Sequence, residues 1–327
     1  MRSGIAFTAF TAQGFALAEA LAPSLGASVR PRSQPLRSWA EEAFASAEAL
    51  VFIGACGIAV RAVAPLLRSK AEDPAVLVLD EQGRFIVSLL SGHLGGANAL
   101  AERLAALTGG TPVITTATDV NCCFAVDLWA KRQGMAVLQP GRIKALSAKL
   151  LAGGSLTVQC PWPIEGQPPA GVRQGAPGDA VVSVRPEAGS ALQLVPKVLV
   201  LGVGCRKGVS AGQIEAAFVR FCAERSILPQ SVAAAASIDR KQHESGLLSF
   251  CAQRELPLHF FPAEALAAVP GSFSASSFVL DTVGVDNVCE RSAALLSGGP
   301  LLEKKYAENG VSLALALRPP QFNWNWK

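Results

Sequence analysis

His93 lies in a glycine-rich segment whose residue types suit proton transfer beside a bound anion. The residues from Ser91 to Gly96 read S-G-H-L-G-G; they follow the apolar run Phe85–Leu90 and precede a helical pattern that starts at Ala97. An imidazole can transfer a proton near neutral pH, and the N–H groups of a glycine turn and a helix start attract anions. The pattern predicts a strand, a ligand-binding turn and a helix. The alternative is an ordinary strand-to-helix turn with a solvent-exposed histidine.

Two further glycine turns carry basic side chains. Gly54–Gly57 precedes Arg61, and Gly202–Gly208 contains Arg206 and Lys207. Arg offers a bidentate fork and Lys a point charge, so the second turn suits a carboxylate or phosphate, unless it is only a solvated basic turn. A dinucleotide site is disfavoured, because Lys207 occupies the third glycine position of G-x-G-x-x-G and no acidic residue ends a strand roughly 20 residues later.

Asp119 follows Thr115 and Thr116 at the end of a strand predicted over residues 112–116. Its carboxylate could orient His93 or a substrate group, or it could cap the following helix. Ser91 near His93 would suit a serine hydrolase, but side chains two residues apart need not converge and G-x-S-x-G is absent.

Composition narrows the functional class. Half of the 327 residues are hydrophobic and 17% are charged, so two or three domains can each bury a core. The net charge of +4 comes without clustered Lys and Arg interleaved with aromatic residues, which argues against nucleic-acid binding. No apolar run reaches the roughly 18–20 residues of a membrane span, so we expect a soluble, cytoplasmic protein. The eight cysteines and three histidines lack the spacings of metal sites, so we expect no protein-bound metal and no cofactor.

Strand and helix signals alternate twice along the chain. They predict an α/β fold: two α/β units with largely parallel sheets, joined by a Pro/Gly-rich segment of short strands. The expected domains are 1–135, which contains the His93 loop, a middle region or linker at 136–196, and a C-terminal α/β domain at 197–327. Seven prolines and five glycines between Pro161 and Pro196 underlie the expected change in structure. The tail from Phe322 is expected to be a frayed end.

Several long motifs, in order, resemble the CbiG family of cobalt-precorrin-5A hydrolases in anaerobic cobalamin biosynthesis. In the first domain they are V-F-I-G-A-C-G-I-A-V-R-A-V-A-P-L-L, the run D-P-A-V-L-V-L-D-E-Q-G-R-F-I-V-S-L-L-S-G-H-L-G-G-A-N, and P-V-I-T-T-A-T-D. In the second they are G-V-G-C-R-K-G, A-S-I-D-R-K-Q-H-E-S-G-L-L, S-S-F-V-L-D-T-V-G-V-D-N-V-C-E and K-K-Y, which resemble the CobE-like C-terminal domain. The resemblance runs from about Ile5 to Pro319 and is weakest between 135 and 196.

The resemblance implies a hydrolase of porphyrin and corrin metabolism. Its substrate would be a ring-contracted cobalt tetrapyrrole whose δ-lactone is opened, with cleavage of a carbon–carbon bond and release of acetaldehyde. The substrate brings the cobalt, and its acetate and propionate groups suit the basic glycine turns. No nucleic acid or membrane partner is expected, whereas homodimerisation and contact with other corrin-pathway enzymes stay open.

Roles for individual residues are our inference from this chemistry. We expect His93 to act as general base on water and the Gly95 and Gly96 N–H groups to stabilise the oxyanion, with Asp119 assisting. The expected substrate-binding residues come from all three glycine turns and from the segment before Asp119. They are Arg61, Gly92, Asn98, Thr115, Thr116, Gly204, Arg206 and Lys207.

A second function class uses the same basic turns. A non-catalytic carrier could shield a labile corrinoid intermediate and pass it on, but it would release no acetaldehyde. A methyltransferase with a nucleotide-like cofactor at Gly202–Gly208 would need an acidic ribose ligand, which the sequence lacks.

Overall fold

The computed structural model describes residues 2–69, 72–93 and 95–326. The chain divides into two compact units, residues 1–128 (unit 1) and 129–327 (unit 2). The predicted middle region and C-terminal domain both fall within unit 2. Among the described residues, no helix is both long and apolar enough to cross a membrane.

Unit 1 alternates strands and helices. Its strands are β1 (Ile5–Ala9), β2 (Ser28–Val29), β3 (Ala49–Ile53), β4 (Ala75–Leu79), β5 (Phe85–Leu90) and β6 (Thr111–Val113). Its helices are α1 (Ala12–Leu25), α2 (Leu36–Ser46), α3 (Cys56–Val63), α4 (Ala97–Thr108) and α5 (Ala117–Val120). A further helix, α6 (Val126–Arg132), contains the boundary between the units.

The strands of unit 1 form one sheet in the order β2-β1-β3-β4-β5-β6. All neighbouring pairs are parallel except β4 and β5, which form an antiparallel hairpin. Every residue of β3 and β4 is buried, because helices cover both faces. Helices α1 and α4 pack on one face and α2 and α3 on the other. This α/β architecture places the loop after β5 at the start of α4.

Unit 2 begins with a sheet of short strands. The elements of the middle region are β7 (Met135–Val137), α7 (Ile143–Leu151), β8 (Leu156–Gln159), β9 (Ile164–Glu165), β10 (Val172–Gln174), β11 (Ala180–Val182) and β12 (Leu192–Pro196). Five of these strands form a sheet in the order β10-β8-β11-β12-β7, in which only β7 runs antiparallel to its neighbour. The Pro/Gly-rich segment is thus a folded part of unit 2.

The rest of unit 2 is a second α/β layer. Its strands are β13 (Leu199–Cys205), β14 (Val232–Ile238), β15 (Leu258–Phe261), β16 (Leu301–Glu308), β17 (Val311–Leu317) and β18 (Phe322–Asn323). Its helices are α8 (Ala211–Glu224), α9 (Ser245–Gln253), α10 (Ala263–Ala267), α11 (Ser277–Val283) and α12 (Cys289–Ser297). The sheet order is β15-β14-β13-β17-β16; β13, β14 and β15 are parallel, and β17 is antiparallel to both its neighbours.

Local sequence signals account for the β13–α8 segment. Ser210 is the N-cap of α8, and a reciprocal capping box joins it to Gln213. Gly202 is required by packing, because a Cβ there would overlap the carbonyl of Cys289 on α12. This glycine therefore brings a helix against the strand, not a ligand against the backbone.

The expectation of a frayed C-terminal tail is wrong for the described residues up to Trp326. Phe322 and Asn323 pair with Ile164 and Glu165 in a two-stranded parallel sheet. The Trp324 ring stacks on Trp129 at a centroid distance of 5.3 Å, and the Trp129 indole N–H donates to the Asn323 carbonyl over 2.7 Å. Trp324 is buried against Trp129, which lies 195 residues earlier in the chain. Local sequence patterns do not reach that far, so they could not predict this packing.

We expect Trp324→Ala to lower the free energy of unfolding of unit 2 by about 3–5 kcal/mol, because the substitution opens a cavity beside Trp129. Urea denaturation followed by far-ultraviolet circular dichroism measures this change. Leu248→Ala, at a side chain that is 41% exposed, is the control and should stay within about 0.5 kcal/mol of the parent. If Trp324→Ala lowered the free energy of unfolding no more than Leu248→Ala does, the packed tail would contribute nothing to the stability of unit 2.

Candidate active site

The loop between β5 and α4 folds back on itself. Ser91 adopts a left-handed backbone conformation with φ of 57°, and its carbonyl accepts a hydrogen bond from the Ala97 N–H. The Asn98 N–H donates to the Gly92 carbonyl, and the Gly96 N–H donates to the His93 carbonyl over 3.0 Å. The Gly96 N–H is therefore engaged within the loop and is not available to an oxyanion in this conformation.

Packing explains two of the loop glycines. A Cβ at Gly92 would lie 2.7 Å from Oδ1 of Asn98, and one at Gly95 would lie 2.7 Å from the Ser91 carbonyl oxygen. Both positions thus exclude a larger residue before any ligand is considered. The Gly95 N–H has no acceptor among the described residues and is the remaining candidate donor to a substrate oxygen.

His93 and Asp119 form a direct pair. His93 Nε2 lies 2.5 Å from Oδ2 of Asp119 and 3.2 Å from the Thr118 hydroxyl oxygen. The histidine and aspartate side chains are 16% and 22% exposed, so solvent or substrate can reach them. The pairing of His93 and Asp119 is one of the arrangements that the sequence suggested.

Asp119 reaches His93 from a different element than expected. The strand predicted over residues 112–116 ends at Val113, and Asp119 lies within α5, a single helical turn. It is also not a helix N-cap, because Thr116 occupies that position. Residues 114 to 116 connect β6 to α5 instead of continuing the strand.

Asn98 fixes the carboxylate. Its side-chain amide is buried at the start of α4 and donates to the same Asp119 oxygen over 2.8 Å and to the Thr116 hydroxyl over 3.3 Å. Its carbonyl oxygen accepts from the Ser88 hydroxyl over 2.6 Å. The resulting chain joins β5, α4 and α5 and holds the Asp119 carboxylate against His93.

Asp127 is a second acidic residue near His93, and no sequence motif points to it. Its Oδ2 lies 4.0 Å from Nδ1 of His93, and its side chain is only 7% exposed. Asp127 is in the first turn of α6, where an acidic residue is ordinarily explained by the helix dipole. No spacing signal linked it to His93, because the two meet only after the chain has passed through α4, β6 and α5.

Arg61 and Thr115 lie apart from these contacts. The Arg61 side chain is exposed on α3 and donates to the Gly57 carbonyl of its own helix over 3.3 Å. Thr115 is exposed in the loop before α5. Within the described part of unit 1, neither side chain forms a hydrogen bond or ion pair with His93, Asn98 or Asp119.

Gly204, Arg206 and Lys207 line a cavity of about 670 Å³ in unit 2. A Cβ at Gly204 would lie 2.5 Å from the Ser312 hydroxyl oxygen of the neighbouring strand β17, so this glycine too serves packing. The two basic side chains follow directly after β13 and face the cavity, as expected for residues at the carboxyl end of a parallel strand.

The described residues contain no cluster of three His, Cys, Asp or Glu side chains arranged to hold a metal ion. The His93 centre is instead suited to proton transfer. A carboxylate on one imidazole nitrogen fixes the ring and its tautomer, and the other nitrogen can then accept a proton. This arrangement can activate a water molecule.

Comparisons with known proteins agree on one family. The family model described as "Cobalamin synthesis G N-terminal" matches residues 38–119, and that described as "Cobalamin synthesis G C-terminus" matches residues 199–316. A cobalt-precorrin-5A hydrolase from Salmonella typhimurium is 38% identical over 85% of this chain and 84% of its own length. A cobalt-precorrin-5A hydrolase from Priestia megaterium is 31% identical over 84% of this chain and 80% of its own length. A probable cobalt-precorrin-5A hydrolase from Methanocaldococcus jannaschii is 28% identical over 81% of this chain and 84% of its own length.

The packing of Gly95 gives a stability prediction. Gly95→Ala should lower the free energy of unfolding of unit 1 by about 1–3 kcal/mol, because the new methyl group meets the Ser91 backbone. Gly57→Ala is the matched control: its methyl group would meet only the flexible end of Arg61, so stability should be unchanged or rise by up to about 1 kcal/mol. Urea unfolding of both variants tests this, and an unaffected Gly95→Ala protein would contradict the described loop.

Proposed function

The chain belongs to the CbiG family of cobalamin synthesis, and from that premise we propose that it is a cobalt-precorrin-5A hydrolase. Its reaction would open the δ-lactone of a ring-contracted cobalt tetrapyrrole and release acetaldehyde. The observation that carries the proposal is the His93–Asp119 pair, held by Asn98 on a loop of unit 1. The names of the relatives support the substrate and the hydrolytic chemistry.

The hydrogen bonds of His93 support one tautomer of its imidazole. Asp119 accepts the Nε2 proton, and Asn98 donates to the same carboxylate oxygen, so this oxygen is kept in place as an acceptor. In neutral His93 the proton is then on Nε2, and Nδ1 is the basic nitrogen. This is the role that a buried carboxylate has beside a general-base histidine.

The position of Asp127 supports a site for the reacting water between its carboxylate and His93. The 4.0 Å between His93 Nδ1 and Asp127 Oδ2 is too long for a direct hydrogen bond, but a water molecule can donate to both atoms. The lone pairs of such a water face away from its two acceptors, so its oxygen is free to attack a bound lactone. His93 Nδ1 takes a proton from this water as the oxygen attacks.

The proposed reaction balances with water as the only co-substrate. Water adds to the lactone carbonyl, whose oxyanion the Gly95 N–H can stabilise, and the acyl C–O bond then breaks to leave a carboxylic acid and an alcohol. The alcohol then loses its proton, and its oxygen becomes the carbonyl oxygen of acetaldehyde. The electron pair of the broken carbon–carbon bond passes to the electron-poor macrocycle. Since no redox change occurs, the protein needs no cofactor of its own; the cobalt belongs to the substrate.

His93→Ala should reduce the rate of acetaldehyde release at least about 10²-fold, because a positioned general base contributes about that much or more. The fold should be retained, since His93 lies in a loop outside the strands and helices of unit 1. His259→Ala, at an exposed histidine on β15, is the matched control and should retain the parent rate. A His93→Ala protein within about threefold of the parent would remove His93 as general base.

Asp127 is tested by a pair of variants. Asp127→Leu removes both water-binding oxygens at similar size, so kcat should fall about 10²-fold with a smaller change in KM. Asp127→Asn keeps one acceptor oxygen and should be faster than Asp127→Leu. Steady-state kinetics of acetaldehyde release would refute the water site if the two variants were equally active or if only KM changed.

A further inference from the structure

Strand β5 contains a bulge next to the candidate active site. Leu77 of β4 pairs with Ser88, whereas the preceding residue Val76 pairs with Leu90, so Leu89 has no partner residue on β4. Side chains alternate between the two faces of a regular strand, yet Leu89 and Leu90 both pack against the core that α2 and α3 cover. The bulge therefore turns Leu90 away from α4, and Ser88 is the last side chain of β5 that faces this helix.

This orientation places the Ser88 hydroxyl at the carbonyl end of the Asn98 amide. Ser88 is half-buried, and its hydroxyl donates to Oδ1 of Asn98 over 2.6 Å. The two hydrogens of the amide nitrogen are engaged as well, one by Asp119 Oδ2 over 2.8 Å and one by the Thr116 hydroxyl over 3.3 Å. Both ends of the amide are thus occupied by protein groups, and no amide hydrogen is left for a substrate.

The two ends of the Asn98 amide need opposite partners. The nitrogen has to face the Asp119 carboxylate, which only accepts hydrogen bonds, so the oxygen has to face β5. Asn98 is 8% exposed, and a buried carbonyl oxygen without a donor is unfavourable. The Ser88 hydroxyl supplies a donor in the one orientation that also serves Asp119. Without this hydroxyl, the amide oxygen would gain by turning toward water, and the carboxylate would then lose its own donor.

We propose that Ser88 is a positioning residue for the hydrolysis. Its hydroxyl fixes the orientation of the Asn98 amide, and the amide in turn fixes the Asp119 carboxylate against the His93 imidazole. Ser88 bonds to Asn98 and acts through it, so the bulge in β5 is part of what sets the geometry of the imidazole. The inference rests on the proposed function for the reaction that it assists, whereas the chain of hydrogen bonds stands without it.

Kinetics of acetaldehyde release test this role. Ser88→Ala should lower kcat about tenfold, the change expected when a buried acceptor loses its donor, and should leave KM nearly unchanged. Ser88→Thr keeps the hydroxyl on a side chain that suits a strand, so it should stay within about threefold of the parent kcat. Val87→Ala is the matched control, because this neighbouring side chain packs on the opposite face of β5, and it should retain the parent kcat.

A double-mutant cycle tests whether Ser88 acts through Asn98. Asn98→Leu removes the amide at similar size and should lower kcat at least as much as Ser88→Ala does. In the Asn98→Leu background, Ser88→Ala should have no further effect on kcat, because the hydroxyl has lost the group through which it acts. A further loss in the double variant would overturn the proposal. Parent-like kcat in Ser88→Ala, or a Ser88→Thr protein as slow as Ser88→Ala, would overturn it too.

The imidazole of His93 gives a readout that needs no substrate. In protein labelled with ¹⁵N-histidine, nuclear magnetic resonance shows which ring nitrogen carries the proton, and His93→Ala assigns the signal among the three histidines. The parent should show one tautomer, protonated on Nε2, and Ser88→Ala a mixture of both tautomers. A single Nε2–H tautomer in Ser88→Ala would contradict the positioning role. Failure of the proposed function would appear separately, as a parent protein with the expected spectra that releases no acetaldehyde.

Discussion

The hydrogen bond from the buried Asn98 amide to Asp119 is the constraint on which the candidate active site depends. Asp119 lies on a single helical turn, and a turn of that length has little stability of its own. Asn98 is instead anchored at the start of the twelve-residue helix α4, which packs into the core of unit 1. The core of unit 1 thereby fixes the position of the His93 imidazole, through the hydrogen bonds of Asn98 and Asp119.

The same constraint explains the glycines around His93. The chain must pass within contact distance of the Asn98 side chain at Gly92 and of the Ser91 backbone at Gly95. The glycines of this loop therefore allow it to pack against Asn98 and Ser91, and not only to approach a ligand. Of the two donors that the sequence suggested, Gly95 keeps an N–H without an acceptor among the described residues, whereas the Gly96 N–H is bonded to the His93 carbonyl.

Short-range signals predicted much of the fold. The alternation of apolar strands with helices predicts the α/β architecture, the residues of the turn after Asp80 are typical of a hairpin such as β4–β5, and Ser210 is of a type that favours a helix N-cap, as it does for α8. Strand β16 was not predicted, because Glu303, Lys304 and Lys305 interrupt the apolar alternation where the strand bulges. The packed tail was missed because Trp324 finds its partner at Trp129, far away in sequence.

The candidate site was predictable in part for the same reason. His93 and Asn98 lie within one motif, and Asp119 follows closely in a second. Asp127 carries no motif, and its proximity to His93 depends on the path of the chain through three intervening elements. Ser88 lies within the motif of His93, but its contact with Asn98 depends on the bulge in β5, which the sequence pattern did not show.

The central claim is that water attacks the lactone carbonyl, and an isotope experiment tests it most directly. The protein would be incubated with the lactone-bearing cobalt precorrin in water enriched in ¹⁸O, and the corrinoid product analysed by mass spectrometry. Attack at the carbonyl predicts one ¹⁸O atom in the newly formed carboxylate, together with one equivalent of acetaldehyde. A product carboxylate without ¹⁸O would contradict the account, because the lactone would then have opened by breaking its alkyl C–O bond.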